Sequence, residues 1–155
     1  MLEQNSKPIS ILLVDDDPDC RMLIRDAISE CKVTNEVAEA ENGQQAVDLL
    51  TANRDNPDRL PGLIYLDIEM PYLNGLETLE RIKRDAKLRH IPVVIMSGVS
   101  DEQQMRKAAS LGANSYTLKP ANAEQFLKTV LASTNYWLSI HQYPEHRLPQ
   151  EVCRR

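Results

Sequence analysis

The sequence predicts an α/β protein, a single domain in which one open, parallel β-sheet carries helices on both faces in a doubly wound arrangement. Short apolar segments alternate with helical patterns five times along the 155-residue chain. A helix between successive strands implies parallel pairing with right-handed crossovers. The length suits one domain of ordinary size.

The first two strand–helix units lie at the start of the chain. Ile9–Val14 is a short apolar run that ends in acids, which is typical of a buried strand. Pro18 suits the first turn of the helix that follows. The apolar residues of this helix recur on one face, at Cys20, Ile24, Ala27, Ile28 and Cys31. Asn35–Ala40 is more polar and is predicted as an edge strand, and the Asn42-Gly43 pair separates it from a second helical pattern.

Three further units follow. The predicted strands are Leu63–Asp67, Val93–Ser97 and Ser115–Leu118. Pro92 opens the fourth strand, where proline is tolerated. Gly112 stands where the C-terminus of the fourth helix favours glycine. The last helix is predicted to be the longest, with apolar residues on two neighbouring faces.

The domain is predicted to cover residues 9–141. Residues 1–8 form a short N-terminal extension, and residues 142–155 form a polar tail that two prolines interrupt. We expect the tail to remain outside the core because it contains little apolar surface to bury.

The composition excludes several classes of protein. Apolar residues make up 42% and charged residues 26%, which argues against a disordered or fibrous chain. The net charge of −5 argues against a basic surface for nucleic acid. The longest apolar runs have four residues, far below the roughly 20 of a membrane helix. The chain starts without an export signal and its three cysteines lack metal-ligand spacing, so we expect a reduced, cytoplasmic protein.

Charged and hydroxyl side chains follow four of the predicted strands. These residues are Asp15 and Asp16 after the first strand, Asp67 at the end of the third, Ser97 at the end of the fourth and Lys119 after the fifth. Because the carboxyl ends of parallel strands meet at one edge of the sheet, we expect these side chains to converge there. Three carboxylates at one place are unfavourable unless a proton or a cation neutralises them.

A divalent cation would remove this conflict between like charges. All-oxygen ligands suit Mg²⁺, which we expect to bind Asp15, Asp16 and Asp67. Mg²⁺ held in this way usually serves a phosphoryl group, and an aspartate can form an aspartyl phosphate. Lys119 could bind one phosphoryl oxygen, and Ser97 could donate a hydrogen bond to another. The sequence therefore predicts Mg²⁺-assisted phosphoryl transfer to Asp67.

The neighbouring residues favour structural explanations. Asp17 and Asp19 lie at the start of the first predicted helix, where acids stabilise the helix dipole. Cys20 and Cys31 lie on an apolar helical face, so we assign them to the core.

Four runs of the sequence, LLVDDDPD, LIYLDIEMP, VVIMSG and YTLKP, resemble in order and spacing the receiver domain of two-component response regulators. The resemblance covers about residues 9–141. It implies a flavodoxin-like (βα)5 sheet with strand order 2-1-3-4-5. The run NYWL at residues 135–138 resembles, more narrowly, stand-alone regulators that are paired with bacterial and chiefly cyanobacterial phytochromes.

The resemblance also implies roles at the acidic residues. Asp67 falls on the phosphoacceptor position. Asp16 falls on the direct Mg²⁺ ligand, and Asp15 on the acid that holds the metal largely through water. Glu69 falls where the family offers a backbone carbonyl to Mg²⁺, so the implied metal site includes it together with Asp67.

The remaining implied roles concern the phosphoryl group and the response to it. Ser97, Gly98 and Lys119 would contact the phosphoryl group. Ser97 and Tyr116 would be the switch residues, since the aromatic ring moves into the space that the hydroxyl leaves. The peptide bond between Lys119 and Pro120 would be cis.

The implied function is that of a single-domain response regulator whose output depends on protein contacts. A sensor histidine kinase, with a phytochrome kinase among the candidates, or a histidine phosphotransfer protein would exchange the phosphoryl group with Asp67. Phosphorylation would change the surface of the fourth helix, fifth strand and fifth helix, through which a homodimer could form. Such a protein accepts a phosphoryl group and is not otherwise an enzyme, and we expect neither nucleic acid nor membrane as a partner.

Two other functions stay open at this point. Asp67-Ile68-Glu69 is similar to the nucleophile motif of haloacid-dehalogenase phosphohydrolases. That motif normally has Asp at its third place and lies on the first strand, and we expect a substrate cap to need a longer chain. The second alternative is a receiver-like module that binds partners without phosphorylation. It is disfavoured because a suitable residue stands at every position of the implied site.

Overall fold

The computed structural model describes residues 9–31 and 35–142. Within these ranges, five parallel strands form one sheet of order β2-β1-β3-β4-β5. The strands are β1 (Ile9–Val14), β2 (Asn35–Ala40), β3 (Leu63–Asp67), β4 (Val93–Ser97) and β5 (Ser115–Leu118). The predicted doubly wound fold and its flavodoxin-like strand order are confirmed. The polar strand β2 lies at an edge of the sheet, as predicted.

Helices cover both faces of this sheet. They are α1 (Pro18–Ser29), α2 (Gly43–Ala52), α3 (Gly75–Arg84), α4 (Glu102–Ser110) and α5 (Ala123–Gln142), with a short 3-10 helix at Pro57–Arg59. α1 and α5 enclose one core, and α2, α3 and α4 enclose the other. None of the helices in the described ranges is long and apolar enough to cross a bilayer. The predicted extension at residues 1–8 lies outside the described residues, as does the predicted tail at residues 142–155 except for Gln142, with which α5 ends.

Strand β3 shows why the central strands are almost wholly apolar. All five of its residues are buried. Leu63 and Tyr65 face the core under α1 and α5, whereas Ile64 and Leu66 face the opposite core, because successive side chains of a strand point to opposite faces. Pairing with β1 on one side and β4 on the other satisfies its backbone groups. Asp67, at the end of this strand, is therefore an acid at the edge of a densely packed apolar layer.

Side-chain caps determine where two of the helices start beside the carboxyl edge of the sheet. Asp17 caps α1 by accepting a hydrogen bond from the Asp19 amide at 2.9 Å. Asn74 and Glu77 form a capping box at the start of α3, in which each side chain accepts from the backbone amide of the other, at 2.9 and 3.1 Å. The structural role predicted for Asp17 is confirmed. These caps fix the lengths of the loops that follow β1 and β3.

The start of α3 approaches the end of β3 so closely that Gly75 has no room for a side chain. An ideal Cβ on Gly75 would lie 2.4 Å from the Asp67 carbonyl oxygen and 2.5 Å from Ile68 Cα. We expect Gly75→Ala to lower the free energy of unfolding in urea by about 1–3 kcal/mol, the usual cost of overpacking. Gly98→Ala is the matched control, because the nearest atom to its Cβ, Glu69 Oε1, would be 4.0 Å away. Equal losses in the two variants would contradict this explanation.

Candidate functional site

Four strand ends bring charged and hydroxyl side chains to one edge of the sheet. Asp15 directly follows β1, and its amide donates to the Ala40 carbonyl at the end of β2, at 3.1 Å. Asp67 is the last residue of β3 and Ser97 is the last residue of β4. Lys119 follows β5, and its amide donates to the Ser97 carbonyl at 2.7 Å. Parallel pairing thus collects groups that are far apart in the sequence.

Asp15, Asp16 and Asp67 form a group of three carboxylates, which we call the acid cluster. One carboxylate oxygen of each residue lies within 4.8 Å of the other two. Asp15 is only 2% exposed and Asp67 only 4%, whereas Asp16 is exposed. The two buried carboxylates therefore repel each other with little screening by water, and Asp16 marks the side that opens to solvent.

Lys119 compensates part of this negative charge. Its Nζ lies 3.1 Å from Asp15 Oδ2 and 3.1 Å from Asp67 Oδ1. Burial alone would lower the pKa of Lys119, but the two carboxylates raise it above its usual range. The ammonium group therefore stays charged and is shared between both acids.

The pKa of Asp67 is nevertheless raised to about 6. Burial is the largest cause, repulsion from Asp15 adds to it, and Lys119 opposes both. One ammonium group thus fails to compensate two buried carboxylates, and the acid cluster favours a further positive charge.

The Asp67 carboxylate contains an oxygen that the protein leaves without a hydrogen bond. Oδ1 is buried and has no hydrogen-bond donor, although Lys119 Nζ lies at ion-pair distance without the alignment of a hydrogen bond. Buried polar atoms nearly always have a hydrogen-bond partner, so an oxygen with an ion pair alone can accept a further ligand. Mg²⁺ prefers carboxylate oxygens. The donor set at the acid cluster therefore fits a divalent cation of this kind.

Ser97 presents a fully buried hydroxyl to the side chain of Glu69. Ser97 Oγ lies 3.3 Å from Glu69 Oε2 and 3.1 Å from the Val99 carbonyl, and it accepts from the Val99 amide at 3.2 Å. A hydroxyl has one proton, so only one of the two oxygens receives it at a time. The adjacent Gly98 has open space where a side chain would be. The structure thus shows a carboxylate contact of Glu69 with Ser97, which the sequence did not predict.

Tyr116 connects β5 to α4. It is half-buried, and its Oη donates to Gln104 Oε1 at 3.3 Å. Its ring packs against the core under α2, α3 and α4. The position suits the switch role implied for Tyr116, because a movement of the ring would change the contact between the two elements.

The expectation of a cis bond before Pro120 is wrong for this structure. The described residues contain no cis peptide bond, so Lys119–Pro120 is trans. The trans form of a peptide bond before proline is lower in free energy than the cis form by about 0.5–1 kcal/mol when the surrounding structure favours neither. In the trans chain the amide of Lys119 still pairs with the Ser97 carbonyl.

Sequence reasoning missed two neighbours of the acid cluster on α1. Cys20 lies in the core as predicted, but it also adjoins Asp15: burial first, and then a hydrogen bond to Asp15, raise the pKa of the Cys20 thiol to about 12. Arg21 Nη1 donates to the Asp15 carbonyl at 2.5 Å. One feature of the sequence could have indicated both contacts. Because α1 starts at Pro18, Cys20 and Arg21 lie in the first turn of this helix, close to the end of β1.

Comparisons with known proteins identify the fold and the family. The sequence model of the response regulator receiver domain matches residues 11–131. The chain is 34% identical over 137 residues to the probable methanogenesis regulatory protein FilR2 of Methanothrix harundinacea, covering 88% of each chain. It is 36% identical over 126 residues to the nitrate/nitrite response regulator NarL of Escherichia coli, covering 81% of this chain and 55% of NarL. The chain therefore spans nearly all of one relative and about half of the other.

Two solved structures resemble the fold closely. The phosphorylated cyanobacterial phytochrome response regulator RcpA superposes with a TM-score of 0.80 and 33% identity, over 86% of this chain and 96% of RcpA. The bacteriophytochrome response regulator AtBRR superposes with a TM-score of 0.63 and 34% identity, over 81% of this chain and 94% of AtBRR.

Removal of the Asp67 charge should stabilise the metal-free protein at neutral pH. Because the pKa is raised to about 6, the folded state holds the proton more tightly than the unfolded chain does. The contribution of Asp67 to the stability of the wild type therefore falls as the pH rises from about 4 to about 6 and stays lower above that range. Asp67→Asn lacks this loss, so we expect its free energy of unfolding in EDTA to exceed that of the wild type by about 3 kcal/mol at neutral pH, and by little near pH 4.

Urea denaturation at several pH values measures this difference. Asp48→Asn is the control, because Asp48 is exposed on α2 away from the acid cluster, and it should follow the wild type at every pH. A variant Asp67→Asn that is less stable than the wild type at neutral pH would show that the charge is well compensated.

Proposed function

The chain belongs to the response regulator receiver family, and we propose that it is the phosphoryl-accepting regulator of a two-component system with Asp67 as its phosphoacceptor. One observation carries this assignment: the buried carboxylate of Asp67, one oxygen of which accepts no hydrogen bond, lies beside an ammonium group and close to two further acids. A receiver needs such a carboxylate at the end of a central strand, where it is rigid and still reachable from solvent.

The acid cluster is proposed to hold Mg²⁺. Asp15, Asp16 and Asp67 would supply carboxylate oxygens, and the backbone carbonyl of Glu69 would complete the protein ligands. Bound Mg²⁺ would neutralise phosphoryl oxygens and hold them close to the acceptor. The support for this site is the distance between the three acids and the raised pKa of Asp67.

In the proposed transfer, an oxygen of Asp67 bonds to the phosphorus of a phosphohistidine. The bond from phosphorus to the imidazole nitrogen breaks, and the electron pair stays on that nitrogen. Lys119 Nζ already lies 3.1 Å from the Asp67 carboxylate, so it would also contact the incoming phosphoryl group as a fixed positive charge. The Gly98 position leaves space for that group.

Ser97 would change its hydrogen-bond partners when Asp67 is phosphorylated. Its hydroxyl now contacts Glu69 and Val99, and it would exchange these contacts for a phosphoryl oxygen. The acyl phosphate brings strong acceptors and carries a charge of about −1.5 to −2 where the Asp67 carboxylate carried −1. Tyr116 would then move toward the vacated space and loosen its contact with Gln104. This movement would shift the surface of α4, β5 and α5 between two states.

That surface is proposed as the output of the protein. Met105 of α4 and Leu118 of β5 are large apolar side chains that are 39% and 44% exposed on this surface. A homodimer through α4, β5 and α5 would cover them. Apart from assisting its own phosphorylation and dephosphorylation, the protein would have no enzymatic activity.

The phosphoryl donor is proposed to be a sensor histidine kinase or a histidine phosphotransfer protein in the cytoplasm. The likeness to RcpA and AtBRR, which are phytochrome response regulators, supports a phytochrome-type kinase as the source. A kinase that carries a matching segment is also among the relatives, the histidine kinase P4 of Formosa agariphila, at 32% identity over 146 residues.

The alternative of a haloacid-dehalogenase phosphohydrolase loses its support. Asp67 ends the third strand in sequence order rather than the first. The side chain of Glu69, the third residue of the supposed motif, contacts Ser97.

A direct test of the proposal is phosphorylation by acetyl phosphate. The wild type with Mg²⁺ should gain the mass of one phosphoryl group in intact-protein mass spectrometry, because Asp67 is the one acceptor. We expect no gain in Asp67→Asn, and none in the wild type when EDTA removes the metal. Asp48→Asn keeps the acid cluster and should be labelled like the wild type. Equal labelling of the wild type and Asp67→Asn would reject the assignment.

A further inference from the structure

A chain of charged hydrogen bonds connects β2 and α1 to the turn that carries the first two acids. Arg21 Nε contacts Glu39 Oε1 at 2.7 Å, and Arg21 Nη1 donates to the Asp15 carbonyl at 2.5 Å. The other oxygen of Glu39, Oε2, accepts from Nε and Nη2 of Arg25 at 2.9 and 2.5 Å. Glu39 therefore stands between two guanidinium groups, and Arg21 connects it to the acid cluster.

The structure holds Arg21 in one orientation. Its side chain is 12% exposed, much less than the 48% of Arg25 on the same helix. Hydrogen bonds from Arg25 and then from Arg21 lower the pKa of Glu39, so Glu39 stays ionised. A guanidinium group is planar and rigid, and it can satisfy two acceptors in different directions at once. Arg21 uses this property to contact a strand and a turn together.

The contact with the Asp15 carbonyl acts on the peptide group between Asp15 and Asp16. The Asp15 amide is held by the Ala40 carbonyl at 3.1 Å, and Asp15 Oδ1 accepts from the Asp17 amide at 2.9 Å. The hydrogen bond from Arg21 fixes the third polar group of Asp15. The plane of the peptide that follows is then set, and that plane determines where the exposed Asp16 side chain starts.

We propose that Arg21, anchored by Glu39, is a positioning residue that aims Asp16 into the acid cluster for binding of the divalent cation. The inference rests on the proposed Mg²⁺ site and adds a residue that does not touch the metal. Partners outside the ligand shell commonly determine metal affinity by orienting the ligands.

Two simpler roles for Arg21 make different predictions. If Arg21 only stabilised the fold, its loss would lower stability but leave the Mg²⁺ affinity of the folded protein unchanged. If Arg21 acted only as a positive charge near the acids, its loss would tighten the binding of a cation, because like charges repel. Positioning alone predicts weaker binding when Arg21 is lost.

The test is a calorimetric titration of the full chain with MgCl₂ alone, on the wild type, Arg21→Gln and Arg21→Lys. We expect the dissociation constant to rise about tenfold in Arg21→Gln, the lower end of the range for such partners. Arg21→Lys keeps the charge but lacks the planar fork, so we expect an intermediate rise. Arg106→Gln is the matched control, because Arg106 is an exposed arginine paired with Glu102 on α4, and it should bind like the wild type.

A spectroscopic readout separates positioning from stability. The amide NMR signal of Asp16 in the metal-free protein should shift in both Arg21 variants, whereas circular dichroism should show them folded. Should Arg21→Gln fail to fold, Arg21→Lys decides the question, since it changes geometry without changing charge.

The outcomes separate this inference from the proposed function. Asp16→Asn should bind Mg²⁺ more weakly than the wild type, which tests the site itself. If the wild type binds Mg²⁺ but the Arg21 variants bind it equally or more tightly, the inference is overturned and the proposed function stands. If the wild type does not bind Mg²⁺, both are overturned.

Discussion

Repulsion between two buried carboxylates is the constraint on which this site depends. Asp15 and Asp67 lie beside each other at the edge of the sheet with one ammonium group between them. Burial weakens the screening by water, so the single positive charge of Lys119 leaves an excess of negative charge. An excess of negative charge attracts a cation. The unbalanced carboxylates thus give this edge of the sheet its affinity for a positive ion.

The core makes this unfavourable arrangement possible. The two strands that lead to Asp15 and Asp67, β1 and β3, pair with each other and have a further neighbour on their other side, and β3 is buried along its whole length. Their ends cannot move apart to relieve the repulsion without breaking the sheet. The turn after β1 is less enclosed, and there Arg21 donates to the backbone carbonyl of Asp15 while the Asp17 amide donates to the Asp15 side chain. The paired strands and the hydrogen-bonded turn after β1 together keep the three acids close.

Contacts of Ser97 and Tyr116, on the other side of the site, connect the carboxyl edge of the sheet to α4. Ser97 shares one proton between Glu69 and Val99, and both contacts are long enough to be exchanged for a stronger acceptor. Tyr116 holds α4 through a single hydrogen bond to Gln104. A small change at the site can therefore alter the packing of β5 against α4, because few polar contacts oppose it.

The sequence alone determined the strands, the edge position of β2 and the gathering of Asp15, Asp67, Ser97 and Lys119 at one edge. These follow from short-range patterns, since apolar runs mark buried strands and parallel strands share one carboxyl edge. Only the tertiary structure decided that Glu69 turns its carboxylate to Ser97, that Arg21 and Cys20 adjoin Asp15, and that Lys119–Pro120 is trans. The side-chain contacts depend on rotamers and on packing between elements distant in the chain, which periodicity and residue type do not encode, and the isomer of the peptide bond is not written in the residue types either.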